Sequence, residues 1–185
     1  MKPTRSLLAL ATLALASALP LAAQAPVVPP GNTRASPHET ISARIGGRNL
    51  VTVTYGRPYM KGRTIWGDLV KFDKGDRLGA DEATTLLTQV PLVIGDTTIP
   101  AGVYTLYIVA SATGPNKLAF SSNLGKWGIP VDETKDVARV ELKKEMLEAP
   151  IEQLSIGIAP NPPDGGTLVI AWEKTKFSLP FTVKK

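Results

Sequence analysis

The feature that most constrains this fold is a repeated alternation of apolar and polar residues with a period of two. In residues 168–172, for example, Leu168, Ile170 and Trp172 occupy every second position. A period of two places these side chains on one face of an extended strand and does not fit a helix. Glycine and proline, 16 of each, fall mainly between such stretches and predict turns. The predicted strands cover residues 40–45, 50–55, 83–90, 92–94, 103–109, 117–121, 138–142, 153–158, 168–172 and 177–183.

Turn residues roughly every 8–12 positions are typical of an antiparallel sandwich or barrel. The sequence therefore predicts an all-β fold, a jelly-roll-like antiparallel β-sandwich of about ten short strands with few or no helices. The only segments with helical character are a single turn at residues 65–70 and residues 143–148. Pro180 removes a backbone N–H from the last strand, which places that strand at an edge of the sheet.

The N-terminus has the pattern of an export signal. Lys2 and Arg5 precede an uncharged apolar run over residues 7–19, which is short for a membrane-spanning helix. Small residues at positions 23 and 25 form a cleavage site, although Pro26 directly after it disfavours cleavage there. The alternatives are cleavage after Ala18 and an uncleaved anchor. We therefore expect an exported protein, located in the periplasm or outside the cell.

This pattern divides the chain into a signal peptide over residues 1–25, a proline-rich linker over 26–35 and a single β-sandwich domain over 36–185. Removal of the signal peptide would lower the net charge from +5 to +3. No stripe of lysine and arginine interleaved with aromatic residues is present, so we expect no nucleic acid partner. No later apolar run is long enough to span a bilayer, so no transmembrane segment is expected in the mature chain.

The composition also excludes several chemistries. The chain has no cysteine, which excludes disulfides, thiolate metal sites and cysteine nucleophiles. The single histidine, His38, excludes any metal site with two histidine ligands. Its neighbours Ser36 and Glu39 cannot converge on it from one extended segment, so these residues do not form a catalytic triad. We therefore expect no metal and no cofactor.

Basic, acidic and aromatic residues concentrate in the middle third of the chain. Arginine side chains can bind a carboxylate, a phosphate or sugar hydroxyls, and aromatic rings can stack on a ligand ring. The alternative is a structural clamp, in which Arg57 or Arg77 pairs with Glu82 and fixes the loop over residues 56–80 to the sheet. The candidate ligand-binding residues are Arg57, Tyr59, Lys61, Arg63, Trp66, Arg77, Asp81, Glu82 and Trp127.

Several separated segments also form an ordered set of motifs. They are Val53-Thr54-Tyr55-Gly56-Arg57-Pro58, Lys61-Gly62-Arg63-Thr64-Ile65-Trp66-Gly67, Arg77-Leu78-Gly79-Ala80-Asp81-Glu82-Ala83-Thr84, Pro100-Ala101-Gly102-Val103-Tyr104-Thr105-Leu106, Trp127-Gly128 and Ala171-Trp172-Glu173. In this order they resemble the bacterial family called domain of unknown function 2911, and the likeness runs from about Ser36 to Val183. The resemblance implies a secreted or periplasmic β-rich domain and no established activity.

The chain departs from the family pattern at one motif. That motif commonly reads W-R-x-G-A-N-E-A-T, whereas here no tryptophan precedes Arg77 and Asp81 replaces the asparagine. The aromatic side chain of the pattern is therefore missing at this point, and a negative charge is added.

Three functions are consistent with the sequence. The first is a non-enzymatic binding module for an envelope or extracellular ligand, a small molecule or a glycan. The second is a hydrolase of an extracellular polymer that uses Glu82 or Asp81 with a distant carboxylate, because adjacent residues of a strand point to opposite faces. The third is a purely structural interaction domain. The ligand and the oligomeric state stay open.

Overall fold

The computed structural model describes residues 34–184, so the predicted signal peptide and most of the predicted linker lie outside the described residues. The strands are β1 (His38–Ile45), β2 (Asn49–Gly56), β3 (Gly75–Arg77), β4 (Thr84–Thr88), β5 (Leu92–Ile94), β6 (Thr97–Ile99), β7 (Gly102–Val109), β8 (Asn116–Ser121), β9 (Asp136–Asn161) and β10 (Gly165–Val183). A single 3₁₀ turn, Glu133–Lys135, precedes β9. Within residues 34–184 no helix is both long enough and apolar enough to span a bilayer.

The strands form one antiparallel sheet that is not closed. Its strand order is β1-β2-β4-β7-β8-β9-β10-β5-β6, and β3 pairs with β7 as a further strand. Strands β3 and β4 pair with consecutive parts of β7, β3 with residues 107–109 and β4 with residues 102–106. The predicted all-β antiparallel fold is therefore confirmed.

Strand β9 is the longest element and changes its partner along its length. Residues 136–142 pair with β8, and residues 143–161 pair with β10. The sequence predicted two short strands in this region and a helical segment at residues 143–148. The helical prediction was wrong, because Lys143 to Met146 pair with β10 as part of the strand. Residues 65–70 form turns and a short bridge instead of a helix.

The core is one buried cluster to which strands from both halves of the strand order contribute. Alternate residues of β2, β4, β7 and β8 contribute to the same buried cluster as alternate residues of β9 and β10. Trp172 and Phe181 of β10 belong to this cluster and are 3% and 6% exposed. Burial of an aliphatic or aromatic side chain of this kind stabilises the fold by about 1.5–3 kcal/mol.

Pro180 does not mark an edge strand, since β10 lies between β9 and β5 in the sheet. The pairing of β10 with β9 ends at Ser178, and its pairing with β5 begins at Thr182. The proline therefore occupies the interval between the two ladders, where no cross-strand partner requires its missing N–H.

The hydroxyl of Tyr55 links β2 to β9. It accepts a 2.8 Å hydrogen bond from the backbone N–H of Ile156 and donates to Glu39 Oε2 at 2.7 Å. The side chain is buried, and this burial, with the nearby Glu39 carboxylate, raises the pKa of Tyr55 to about 12. The neutral hydroxyl is thus the form that holds the two strands together.

We expect Tyr55→Phe to lower the free energy of unfolding by about 1–3 kcal/mol, because the N–H of Ile156 would stay buried without an acceptor. Urea titration measures the loss. Tyr104→Phe is the matched control, because the Tyr104 hydroxyl donates only to the carbonyl of Pro100, at 2.9 Å. Equal losses in the two variants would contradict the role assigned to Tyr55.

Candidate functional site

Residues 78–83, called the ridge from here on, connect β3 to β4 along the same edge of β7. The ridge packs directly on the end of β2, where a Cβ on Gly56 would collide with the carbonyl oxygen of Ala80. The hydroxyl of Thr84 donates to the carbonyl of Leu78 and closes the base of the ridge. Asp81 adopts a φ of 62°, a left-handed conformation in which aspartate and asparagine are favoured over most residues.

The described N-terminal segment lies beside the ridge. The backbone N–H of Arg57 donates to the carbonyl of Pro37 at 2.7 Å, which holds this segment against the end of β2. Glu82 of the ridge forms an ion pair with Arg34, and its Oε2 lies 3.0 Å from His38 Nε2. The ridge and the segment from Arg34 to His38 together separate two surface clefts.

The first cleft has a volume of about 590 Å³. Three of its side chains are basic, two are acidic, and three exposed apolar or aromatic residues, Tyr59, Leu69 and Ile129, stand around it. The residues that line it are Ala35, Ser36, Pro58, Tyr59, Lys61, Arg63, Leu69, Val70, Asp76, Arg77, Gly79, Ala80, Asp81, Ile129 and Trp172.

The three basic side chains of the first cleft differ in how firmly they are held. Arg77 Nη1 donates to the carbonyl of Asp81 at 2.9 Å, and its guanidinium lies 5.6 Å from the centre of the Trp127 ring. Arg63 donates to the carbonyls of Tyr59 and Met60, at 2.6 and 2.8 Å. The Lys61 ammonium has no hydrogen bond or ion pair with residues 34–184. Arg77 and Arg63 are therefore positioned in advance, whereas Lys61 can move to a ligand.

Two carboxylates also line the first cleft. Burial raises the pKa of Asp76 above its ordinary value, although the nearby Arg77 opposes this shift. Asp81 Oδ2 is inaccessible to solvent and has no hydrogen bond within the described part of the chain. The first cleft therefore presents a mixed charge pattern and not a purely basic surface.

The second cleft lies on the other side of the ridge and has a volume of about 530 Å³. Its lining combines an exposed tryptophan, two neighbouring threonines and charged side chains. The residues are Arg34, His38, Thr54, Tyr55, Glu82, Ala83, Thr85, Gly125, Lys126 and Trp127.

The nine candidate residues are thus distributed over three places. Tyr59, Lys61, Arg63, Arg77 and Asp81 line the first cleft, and Glu82 and Trp127 line the second. The remaining two, Arg57 and Trp66, line neither cleft.

Arg57 and Trp66 have structural contacts instead. Arg57 pairs with Glu39 at 3.3 Å and donates to the carbonyl of Leu154 at 3.2 Å. Trp66 packs edge-on against Trp172 and Phe177, with ring centres 6.4 and 5.1 Å apart. Neither side chain is placed to contact a ligand in the two clefts.

The structural clamp considered from the sequence required Arg57 or Arg77 to pair with Glu82, but each of these side chains has a different partner. Glu82 pairs with Arg34 and His38, while Arg57 pairs with Glu39. Arg77 holds the ridge through the backbone carbonyl of Asp81 and not through the Glu82 carboxylate. The ridge is therefore fixed by Arg77 from the sheet side and by Glu82 from the N-terminal side.

Sequence reasoning missed several charged and apolar side chains of these clefts, among them Arg34, His38, Asp76, Lys126 and Ile129. Asp76 lies in a strand of only three residues, which carries too little alternation to be recognised. Arg34 and His38 are distant from the middle third in sequence and reach the second cleft only through the fold, whereas Lys126 and Ile129 lie next to the candidate Trp127 without a pattern that marks them. Within residues 34–184 no three histidine, aspartate or glutamate side chains come together in a way that could hold a metal ion.

The protein is thus an all-β domain with an open antiparallel sheet. Its surface has two neighbouring polar clefts with aromatic residues at their rims. Over residues 36–181 the chain matches the family described as "Protein of unknown function (DUF2911)", and it belongs to that family. Searches of the curated proteins and of the solved structures found no match.

We expect Glu82→Gln to be less stable than the wild type at pH 7 and to lose this difference as the pH falls. The pKa of Glu82 is lowered, chiefly by its hydrogen bond from Arg34, so the stabilisation is present above the ordinary glutamate pKa of about 4.3 and disappears as the pH falls through the lowered value. The side chain is 45% exposed, which keeps the effect small.

Urea midpoints of both proteins between pH 7 and pH 3 measure this convergence. Glu148→Gln is the control, because Glu148 is exposed and has no ion pair within residues 34–184. A penalty for Glu82→Gln that stays constant over the whole range would show that the charge of Glu82 does not stabilise the ridge.

Proposed function

We propose that this protein is a non-enzymatic binding module whose first cleft holds the acidic groups of a glycan. The observation that carries the proposal is the placement of Lys61, Arg63 and Arg77 around one cleft with aromatic and apolar residues at its rim. Guanidinium groups bind carboxylates through paired hydrogen bonds, and the lysine adds a mobile point charge. Tyr59, which is 38% exposed, offers a ring face to a sugar.

The backbone restraints on Arg63 and Arg77 support binding, because a side chain that is already ordered loses less entropy on contact with a ligand. Each arginine uses only some of its N–H groups in these restraints, so further donors stay available. Asp76 and Asp81 can accept hydrogen bonds from sugar hydroxyls. A ligand with both hydroxyls and acidic groups therefore matches the cleft better than a simple anion.

Export to the periplasm or the exterior is part of the proposal, and the N-terminal sequence supports it. Lys2 and Arg5, the apolar run and the small residues before Pro26 have the pattern of a cleaved signal. The intact mass of protein recovered from the cell envelope or medium should correspond to a chain that begins at Pro26 or Leu19. A mass of the uncleaved chain would contradict cleavage at either site.

A second candidate function, hydrolysis of the bound glycan, has one observation in its favour. Asp76 and Asp81 line the same cleft, and burial raises the pKa of Asp76 in the direction required of a general acid. In this alternative Asp76 protonates the glycosidic oxygen as its bond to C1 breaks, and Asp81 takes a proton from a water molecule that attacks C1 from the opposite face, so that two shorter sugar chains leave. Turnover is the property that separates the two functions.

We expect the wild type to bind a hexamer of galacturonic acid and not the uncharged cellohexaose, as measured by calorimetry at low salt. Lys61→Ala should weaken binding of the acidic hexamer about fivefold, since an exposed charge pair contributes up to about 1 kcal/mol. Added salt should weaken binding further through screening. The matched control is Lys117→Ala on β8, which is exposed and lies in neither cleft.

Binding of neither hexamer, or equal effects of the two lysine variants, would overturn the proposed function. New reducing ends in the wild-type sample, absent with Asp76→Asn, would favour the hydrolase over the non-enzymatic module.

A further inference from the structure

The second cleft contains a polar surface that the proposed function does not use. Thr40, Thr54, Thr85 and Thr105 are aligned in register across the four neighbouring strands β1, β2, β4 and β7. Thr54 and Thr85, the two central members of this row, line the second cleft. Thr54 shares a 2.9 Å hydrogen bond with Thr40, and the hydroxyl of Thr85 has no partner within residues 34–184.

Trp127 gives the same cleft an exposed aromatic surface. It is 53% exposed, the second most exposed of the large hydrophobic residues described. Arg77 lies 5.6 Å from its ring centre, so the guanidinium supports the indole from the side of the first cleft. The tryptophan therefore offers a supported aromatic face to the second cleft.

Charged groups complete the lining. Lys126 lies beside the ridge, where its backbone carbonyl accepts a 3.3 Å hydrogen bond from the N–H of Ala83. Glu82 and His38 lie together on the ridge side. A pyranose ring has an apolar face of C–H groups and a rim of hydroxyls, and this combination of an indole with threonine hydroxyls and the exposed Lys126 ammonium is complementary to both parts.

The two clefts are neighbours with a shared wall. Arg77 lines the first cleft and Trp127 the second, and these two side chains are in contact. Asp81 and Glu82 are adjacent on the ridge and also line opposite clefts. A ligand held in the first cleft thus needs to extend only across the ridge to reach the tryptophan.

We propose that the second cleft is a sugar-binding subsite, in which Trp127 and Thr85 bind a further sugar ring of the same acidic oligosaccharide that occupies the first cleft. This inference rests on the proposed function of the first cleft. It identifies the ligand class as an oligosaccharide long enough to cross the ridge, and it excludes an isolated acidic sugar as the complete ligand.

The test compares galacturonic acid oligomers of two and six residues, with calorimetry on the full protein. The hexamer should bind the wild type at least about tenfold more tightly than the dimer, the effect of one well-stacked ring. Trp127→Ala should remove most of this gain and lower the affinity for the dimer by a smaller factor, because Arg77 loses the ring but keeps its hydrogen bond to the carbonyl of Asp81. Thr85→Val, which removes one hydroxyl and keeps the shape of the side chain, should reduce the gain by a smaller factor.

Thr52→Val is the matched control, because Thr52 lies on β2 with its side chain on the same face but does not line the second cleft. Trp127 and Thr85 are not part of the buried core, and a thermal melt of each variant confirms folding before the titrations.

The possible results separate the two proposals. A length-dependent gain that survives Trp127→Ala reflects only the several registers of a longer chain on one cleft, and it would overturn the second subsite alone. Equal losses for dimer and hexamer with Trp127→Ala would also overturn it, because the tryptophan would then act in the first cleft. Failure of both oligomers to bind the wild type would overturn the proposed function and this inference with it.

Discussion

The change of partner within strand β9 is the constraint on which the first cleft depends. Its first part extends the sheet beyond β8, and its second part pairs with β10. Its backbone also bonds the chain that follows β2, since Leu154 N–H donates to Pro58 O at 3.0 Å and Met60 N–H donates to Glu152 O at 2.8 Å. This pairing fixes the turn that carries Lys61 and Arg63 and so sets one wall of the first cleft.

The opposite wall depends on close backbone packing. The ridge reaches the end of β2 only because position 56 has no side chain. Within residues 34–184 five buried polar side-chain atoms have no aligned hydrogen bond, and four of them belong to His38, Asp81 and Glu82. For His38 Nε2 and Glu82 Oε2 the separation of 3.0 Å is short enough, but the alignment is poor. Unsatisfied buried groups are costly, and their concentration at the ridge marks the place where structure is least optimised for stability alone.

The period of two predicted most of the sheet, because strands with one buried face carry a clear pattern. It failed where that pattern is absent. Strands β3 and β6 have three residues each, and residues 143–146 of β9 are exposed on both faces, so their pairing depends on the backbone and on β10. Residues 143–148 lack the alternation and consist of residue types that favour a helix, so the sequence predicted a helix there.

The candidate site shows the same division. Tyr59, Lys61 and Arg63, which line the first cleft, were selected as candidates because charged and aromatic residues cluster in sequence in the loop after β2. The partners of Glu82 were missed, because Arg34 and His38 lie more than forty positions away and only the register of β1 with β2 brings them near. The ridge itself, which separates the clefts, has no sequence pattern beyond its glycine and the residue at position 81.

The conformation of Asp81 requires a residue that tolerates a positive φ, and asparagine would satisfy this requirement without a charge. The charge at position 81 is therefore not needed for the backbone. With Asp76 it places two carboxylates beside Lys61, Arg63 and Arg77 in the first cleft. A polyanion without hydroxyl groups would bring like charges against both aspartates and donate no hydrogen bond to them, which is unfavourable. A sugar chain with hydroxyls beside its acidic groups can satisfy the cations and donate hydrogen bonds to the aspartates, so under the proposed function the charge pattern favours an acidic sugar chain over a phosphate polymer.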